Sequence, residues 1–323
     1  MFRFFAICIA LSHLVISPLA SAAEDPWVIL QKTAFAAREL NYKGIFVYQN
    51  RLDTRSVEIH HMNNGGRELT RNVVLAGQQP RQVFSEGADI VIFSPKNDKV
   101  HIEKRRGQNL FPAMLPTDLT LIKHNYTAKL GTTEIIAGRA TQIVELLPND
   151  AFRYSYKIWA DIEFGLMAKV AMVDQKNEVL EQIWFNDLNM MNNQDLNWFQ
   201  PKIDLTKKYV MEEETAKHSD KTAAQQQWEV TDLPPGYRKI DQIERVVAGK
   251  PHLVNQLIFS DGIASVSLFI EPVAKGARPK IGHTNVGNTN MCAHVVDGYQ
   301  VTVVGEVPAA TVQQISKSVT FKK

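Results

Sequence analysis

Apolar positions recur at two different spacings along this chain. From Asp25 onward Trp27, Leu30, Ala34 and Ala37 fall three or four apart, with Asp25 suited to an N-cap and Pro26 to the first helical position. The spacing predicts a helix that Asn41 and Gly44 bring to an end. Short β-prone runs follow at 44–48, 56–60, 72–75, 90–93, 99–102, 142–146, 154–159, 166–170 and 179–184. Turn chemistry separates them at Leu52-Asp53, at Asn63-Asn64-Gly65-Gly66 and at Ser94-Pro95. Nearly all the links are shorter than the dozen or so residues that a parallel crossover needs, so the runs predict an antiparallel meander with one face on a core. A sheet that large with few helices must curl or close. The opening helix is the candidate to fill its concave side.

Two stretches break the meander. Residues 109–121 hold Leu110-Phe111-Pro112 and Met114-Leu115-Pro116, and two prolines exclude a central strand, leaving at most a short helix within a long apolar loop. Such a loop either covers the core or works as a binding element. Between Asp204 and Gln227 the chain turns polar and charged, which reads as a linker. A second unit starts at Trp228. Leu233-Pro234-Pro235-Gly236-Tyr237 reads as an extended turn, and hairpins are predicted around Ser260-Asp261-Gly262 and Asp297-Gly298. From Pro308 a terminal helix is predicted, with Val312, Ile315 and Val319 on one face.

The first residues bear on compartment. Arg3, the apolar run from Phe4 to Leu19 and Ala20-Ser21-Ala22 form a cleavable signal pattern over 1–22, so the expected mature protein is soluble and secreted. The expected layout is a signal peptide at 1–22, a large β domain at 23–203, a linker at 204–227 and a smaller domain at 228–323. Of the two cysteines, Cys8 leaves with the signal, and Cys292 alone can form no internal disulfide. Charge is nearly balanced: 36 basic against 34 acidic residues, or 35 against 34 without Arg3, a net of +1. That balance gives no reason to expect nucleic acid as a partner.

Reaction signatures are sparse. No Gly-x-Ser-x-Gly elbow, phosphate loop, His-Glu-x-x-His or Cys-x-x-Cys occurs. His60 and His61 would point to opposite faces of a strand and not to one metal ion. Cys292 and His294 share a strand face, but no orienting Asn or Asp is evident, and a lone buried thiol accounts for the cysteine as well. Carboxylates such as Glu181 and Asp187 read as solvated surface, and Asn125-Tyr126-Thr127 fits a glycosylation acceptor only on a eukaryotic secretory route. The expectation is a protein that is not an enzyme and has neither metal nor cofactor. A hydrolase acting on envelope material would need a convergent group of shifted carboxylates or histidines.

What the residues do offer is binding chemistry. A curled sheet rich in Phe, Trp, Met and Leu can enclose an apolar cavity for acyl chains, each buried methylene contributing about 0.8 kcal/mol. Leu110, Phe111, Met114 and Leu115 are the candidate lining. Lys104-Arg105-Arg106 could meet phosphates at the mouth, or could simply be a solvated hairpin end.

Several segments resemble one family. Arg153-Tyr154-Ser155-Tyr156-Lys157-Ile158-Trp159-Ala160-Asp161, then Gly165 to Val170 and Leu180-Glu181-Gln182, are similar to the RseB/MucB family. Leu233 to Tyr237, Phe259-Ser260-Asp261-Gly262 and Val304-Gly305-Glu306-Val307-Pro308 extend the likeness in the same order. The resemblance implies an α+β protein: a large antiparallel unclosed β-barrel packed on helices, like the lipoprotein-carrier fold, and a smaller α/β C-terminal domain. It implies a periplasmic negative regulator of the envelope-stress sigma factor. Such a protein binds the periplasmic domain of a membrane-spanning anti-sigma factor and shields it from site-one proteolysis, and lipopolysaccharide or another lipid releases it. Trp228, Tyr237, Phe259 and Asp261 are then the candidate partner-binding residues. A homodimer is admitted but not required. The alternative is a periplasmic lipid or lipoprotein carrier using the same cavity.

Overall fold

A computed structural model describes residues 24–75, 81–94, 99–104, 109–192, 195–200, 210–213, 216–218, 228–247, 250, 252–274, 276 and 278–321. The signal pattern at 1–22, with Cys8, lies outside them, as do Arg105 and Arg106.

The first helix, α1 (Pro26–Glu39), starts where its cap predicts: the Asp25 carboxylate accepts from Trp27 N at 2.9 Å. Its buried stripe is Ile29, Leu30, Thr33, Ala34 and Ala37. Gly44 does not end it. The helix stops at Leu40, and Gly44 lies inside the first strand, β1 (Tyr42–Asn50). A Cβ at Gly44 would sit 2.3 Å from Asp187 O on the neighbouring strand, so only glycine lets the two backbones approach.

The meander continues through β2 (Thr54–Asn64), β3 (Arg67–Val74), β4 (Gln82–Glu86), β5 (Asp89–Ser94) and β6 (Lys99–Lys104). After a long loop and the short α2 (Thr120–Asn125) it resumes with β7 (Tyr126–Ile136), β8 (Arg139–Pro148), β9 (Ser155–Asp161), β10 (Met167–Val173) and β11 (Val179–Met190). With β12 (Val210–Glu213) these form a twelve-stranded sheet in the order β12-β6-β5-β4-β3-β2-β1-β11-β10-β9-β8-β7. Every pairing is antiparallel except that of β12 with β6. Its first and last strands do not pair, so the sheet stays open. The β1–β11 pairing sets Tyr42 opposite Met190 and Asn50 opposite Glu181, joining the two halves of the meander. α1, α2 and the loop residues Phe111, Leu115 and Leu119 fill the concave side against Phe46, Ile59, Val144, Ile158 and Phe185.

The second unit is a seven-stranded antiparallel sheet, ordered β13 (Ala216–His218), β15 (Arg238–Val246), β16 (Leu253–Ser260), β17 (Ser265–Pro272), β20 (Tyr299–Gly305), β19 (Thr289–Val296), β18 (Gly282–Val286). One helix, α3 (Ala309–Lys317), packs Val312 and Ile315 into a core with Leu268, Val301 and Val303. Val319 leaves the helix predicted for it. It lies in β21 (Val319–Phe321), which pairs with β14 (Trp228–Val230). Two strands, β12 and β13, fall within 204–227, the stretch read as a linker, and each forms the edge of a different sheet. No described helix is long and apolar enough to cross a membrane.

Candidate functional site

The two sheets meet at a buried ion pair. Arg153, on the β8–β9 connection, is 1 % exposed, and its Nε lies 2.9 Å from Oδ2 of Asp261, which is 0 % exposed. Local backbone positions Asp261: its Oδ1 accepts from Ile263 N at 3.0 Å and Ala264 N at 2.9 Å, which turns Oδ2 outward from the β16–β17 turn. The rest of the guanidinium is also held, by Asp150, by the Pro235 carbonyl and by the face of Tyr237, 5.0 Å away. Tyr126 OH donates to Asp261 at 3.3 Å. Burial pushes the hydroxyls of Tyr126, Tyr156 and Tyr237 well above their usual range, and the charge of Asp261 adds to it. Phe152 O accepts from Thr311 Oγ1 of α3 at 2.7 Å and from Tyr237 OH at 3.4 Å. Gly236 lets the Pro235 turn approach: it has φ +76, and a Cβ there would lie 2.2 Å from the Asn125 side chain.

Beside this lock lies a cavity of about 350 Å³ with walls from both units. Phe46, Val57, Val170, Met172 and Ile183 come from the concave sheet, and Leu110, Phe111 and Met114 from the long loop. Ile263, Ala264, Ser265 and Glu306 come from the smaller unit. The cavity has a polar end. Tyr48 OH donates to Glu181 Oε2 at 2.7 Å, and Asn288 Nδ2, reaching across from the other sheet, donates to the same oxygen at 3.2 Å. Burial, then the Glu181 charge, raises the Glu306 carboxyl to a pKa of about 7. Burial and the Glu181 hydrogen bond together raise Tyr48.

The structure sorts the residues singled out from sequence. Leu110, Phe111 and Met114 line the cavity, whereas Leu115 is buried in the core beneath it. Lys104 ends β6, with Arg105 and Arg106 outside the described residues. Trp228, Tyr237 and Phe259 are buried in the smaller core, and Asp261 is in the junction ion pair, so none of the four presents an open face. His61 stacks on Tyr42 with ring centroids 4.6 Å apart, while His60, on the other face of β2, lies against Trp198. Among the described residues no three His, Cys, Asp or Glu side chains group closely enough to hold a metal. His294 turns its Nδ1 to Ser316 Oγ at 2.8 Å, not to Cys292. Asn125 of the glycosylation pattern is 4 % exposed and donates to Leu121 O at 2.8 Å.

Sequence reasoning missed Glu181, Glu306 and Arg153 as junction residues. Glu181 is not the solvated carboxylate it was read as; it shares a strand face with the buried Ile183 and Phe185, and that phase was the available signal.

Comparison with known proteins agrees with this architecture. The signature described as the MucB/RseB N-terminal domain matches residues 25–203, and that of the MucB/RseB C-terminal domain matches 222–320. Sigma-E factor regulatory protein RseB of Escherichia coli K12 is 25 % identical over 319 residues, covering 98 % of this chain and 97 % of that protein. Sigma factor AlgU regulatory protein MucB of Pseudomonas aeruginosa is 27 % identical over 321 residues, 97 % and 96 % of the two chains. Among solved structures, MucB in complex with MucA(peri) superposes with a TM-score of 0.73 at 24 % identity, covering 93 % of this chain and 100 % of that one. MucB alone gives 0.65, also at 24 % identity, covering 92 % and 98 %.

Proposed function

This chain belongs to the MucB/RseB family, and from that premise we propose that it is a periplasmic negative regulator of an envelope-stress sigma factor. It binds the periplasmic region of a membrane-spanning anti-sigma factor and shields that region from site-one proteolysis. A lipid, lipopolysaccharide or a related amphiphile, enters the junction cavity and releases the partner. The observation that carries this reading is that one cavity has walls from both units and adjoins the buried ion pair that docks them. A ligand in such a place can bias domain orientation, and the shift it causes equals its difference in affinity for the two arrangements.

Tyr237 and Asp261 then act on the partner by fixing the surface around the junction, and Trp228 and Phe259 by holding the smaller core, not by touching it. A carrier would use the cavity too, but it would give the smaller domain and its ion pair no task. Cleavage of the anti-sigma periplasmic region by the site-one protease tests the proposal. Stoichiometric protein is expected to slow cleavage at least tenfold, and added lipopolysaccharide to restore it. Cleavage at the same rate with and without the protein would reject the shielding role.

A further inference from the structure

We propose that the smaller unit carries a binding groove of its own, built for one unbranched alkyl chain with an anionic head. It lies on the face of the seven-stranded sheet turned away from α3. Leu268, Ile270, Val301 and Val303 point into the core beneath that helix. Strand alternation therefore turns Phe269, Glu271, Thr302 and Val304 to the other face. There Phe269 stands opposite Thr302, and Val304 opposite Met291 of β19. These four side chains are half-buried, and with the buried Val254 of β16 they floor a groove of about 560 Å³. It shares no lining residue with the junction cavity.

The rim is fixed to the floor. Part of the β17–β18 connection borders the groove, and the side chain of Gln300 on β20 holds it twice. Its Oε1 accepts from Lys280 N at 2.8 Å, and its Nε2 donates to Lys280 O at 2.8 Å. Val273, at the other end of that connection, donates from its N to Gly298 O at 3.0 Å. Charge on the lining is uneven: Lys250, Arg278 and Lys280 face a single acid, Glu271. Lys250 answers that acid, with Nζ 2.9 Å from Oε2, and His252 Nε2 lies 3.5 Å from the same oxygen. Arg278 and Lys280 are exposed and make no ion pair with a described residue. Asp297, on the adjoining β19–β20 turn, is not part of the lining.

Two cations without an acid, held beside an apolar floor, call for an anionic head on an apolar body. A peptide suits the floor poorly. Thr302 is the one hydroxyl on the lining, so most amide groups laid there would lose water without gaining a partner. An alkyl chain needs no such partner and binds through burial alone. The volume falls in the range of small-molecule sites and suits one chain with its head. Carboxylate and phosphate heads share the chemistry that Arg278 and Lys280 recognise, and the experiment separates them.

Met291 lies in this groove and Met114 in the junction cavity, so NMR of methyl-labelled methionines reads the two sites separately in the mature chain. Decanoate, decyl phosphate, decylamine and decanol are titrated in turn, each below self-association. Decanoate or decyl phosphate is expected to shift the Met291 methyl at a concentration at least tenfold lower than decylamine or decanol, and the tighter of the two identifies the head. Replacing both exposed cations, Arg278→Glu with Lys280→Glu, is expected to cancel that preference at Met291 and to leave the Met114 response unchanged. The comparison of four heads on the unaltered protein stands even if that variant folds poorly. A Met291 methyl unmoved by either anion, or moved equally by all four chains, would overturn the proposal. A response at Met114 alone would also overturn it, while leaving the junction cavity as a lipid site.

Discussion

Arg153 is the largest fully buried side chain among the described residues, and its environment explains why it is tolerated there. Two carboxylates, a carbonyl and an aromatic face surround one guanidinium, so little of its charge is left unanswered. Removing it strands Asp261 in the same low-dielectric setting. Arg153→Met is expected to lower stability by roughly 3–5 kcal/mol, and adding Asp261→Asn to recover part of that, read as urea midpoints. A double variant no more stable than Arg153→Met alone would show that the stranded Asp261 charge is not the main source of the loss. Glu306 behaves in the opposite sense to a salt-bridged acid. Its carboxyl is raised, so the folded state keeps a proton that the unfolded state loses from about pH 4.5 to 7. Stability therefore falls as pH rises through that window, by about 1–2 kcal/mol once partial exposure is allowed for. Glu306→Gln is expected to flatten the slope, measured as melting temperature against pH.

At the scale of elements, alternation and caps carried a large part of the fold and missed what pairs on one side only. α1 and its Asp25 cap were legible from the helical phase of its apolar positions, and both predicted hairpins of the smaller domain from the turn chemistry at Ser260-Asp261-Gly262 and Asp297-Gly298. β7 and β18 were not, since each ends a sheet and is mostly exposed, leaving no buried face to write a pattern. Nor could phase show that β1 pairs with β11, since periodicity assigns a side chain to a face and not to a neighbouring strand. The cavity was half legible for the same reason. Its loop wall showed as apolar residues between prolines, but Glu306 reaches it only once the second domain docks. The Pro235 turn gives a direct check on that docking. Gly236→Ala must both hold φ +76 and displace Asn125, so it is expected to cost about 1–3 kcal/mol and to loosen the junction, seen as faster amide exchange around residues 233–237.

For the whole molecule, a wide open sheet and a small sheet are held in one orientation by a few buried polar contacts next to a space that both of them line. A ligand in that space need only favour a different orientation to alter any surface spanning the two domains, and linkage requires the partner to weaken the ligand by the same factor. The most direct measurement is the affinity of the mature chain for the anti-sigma periplasmic segment, with and without lipopolysaccharide, in the unaltered protein and in Met114→Trp. Met114 is on the loop wall, so a tryptophan there fills the cavity without altering a strand residue. The unaltered protein is predicted to bind the segment and to lose at least tenfold in affinity when the lipid is added, whereas Met114→Trp binds the segment and ignores the lipid. Absence of binding, or an equal lipid effect in both proteins, would contradict a regulator controlled through this cavity.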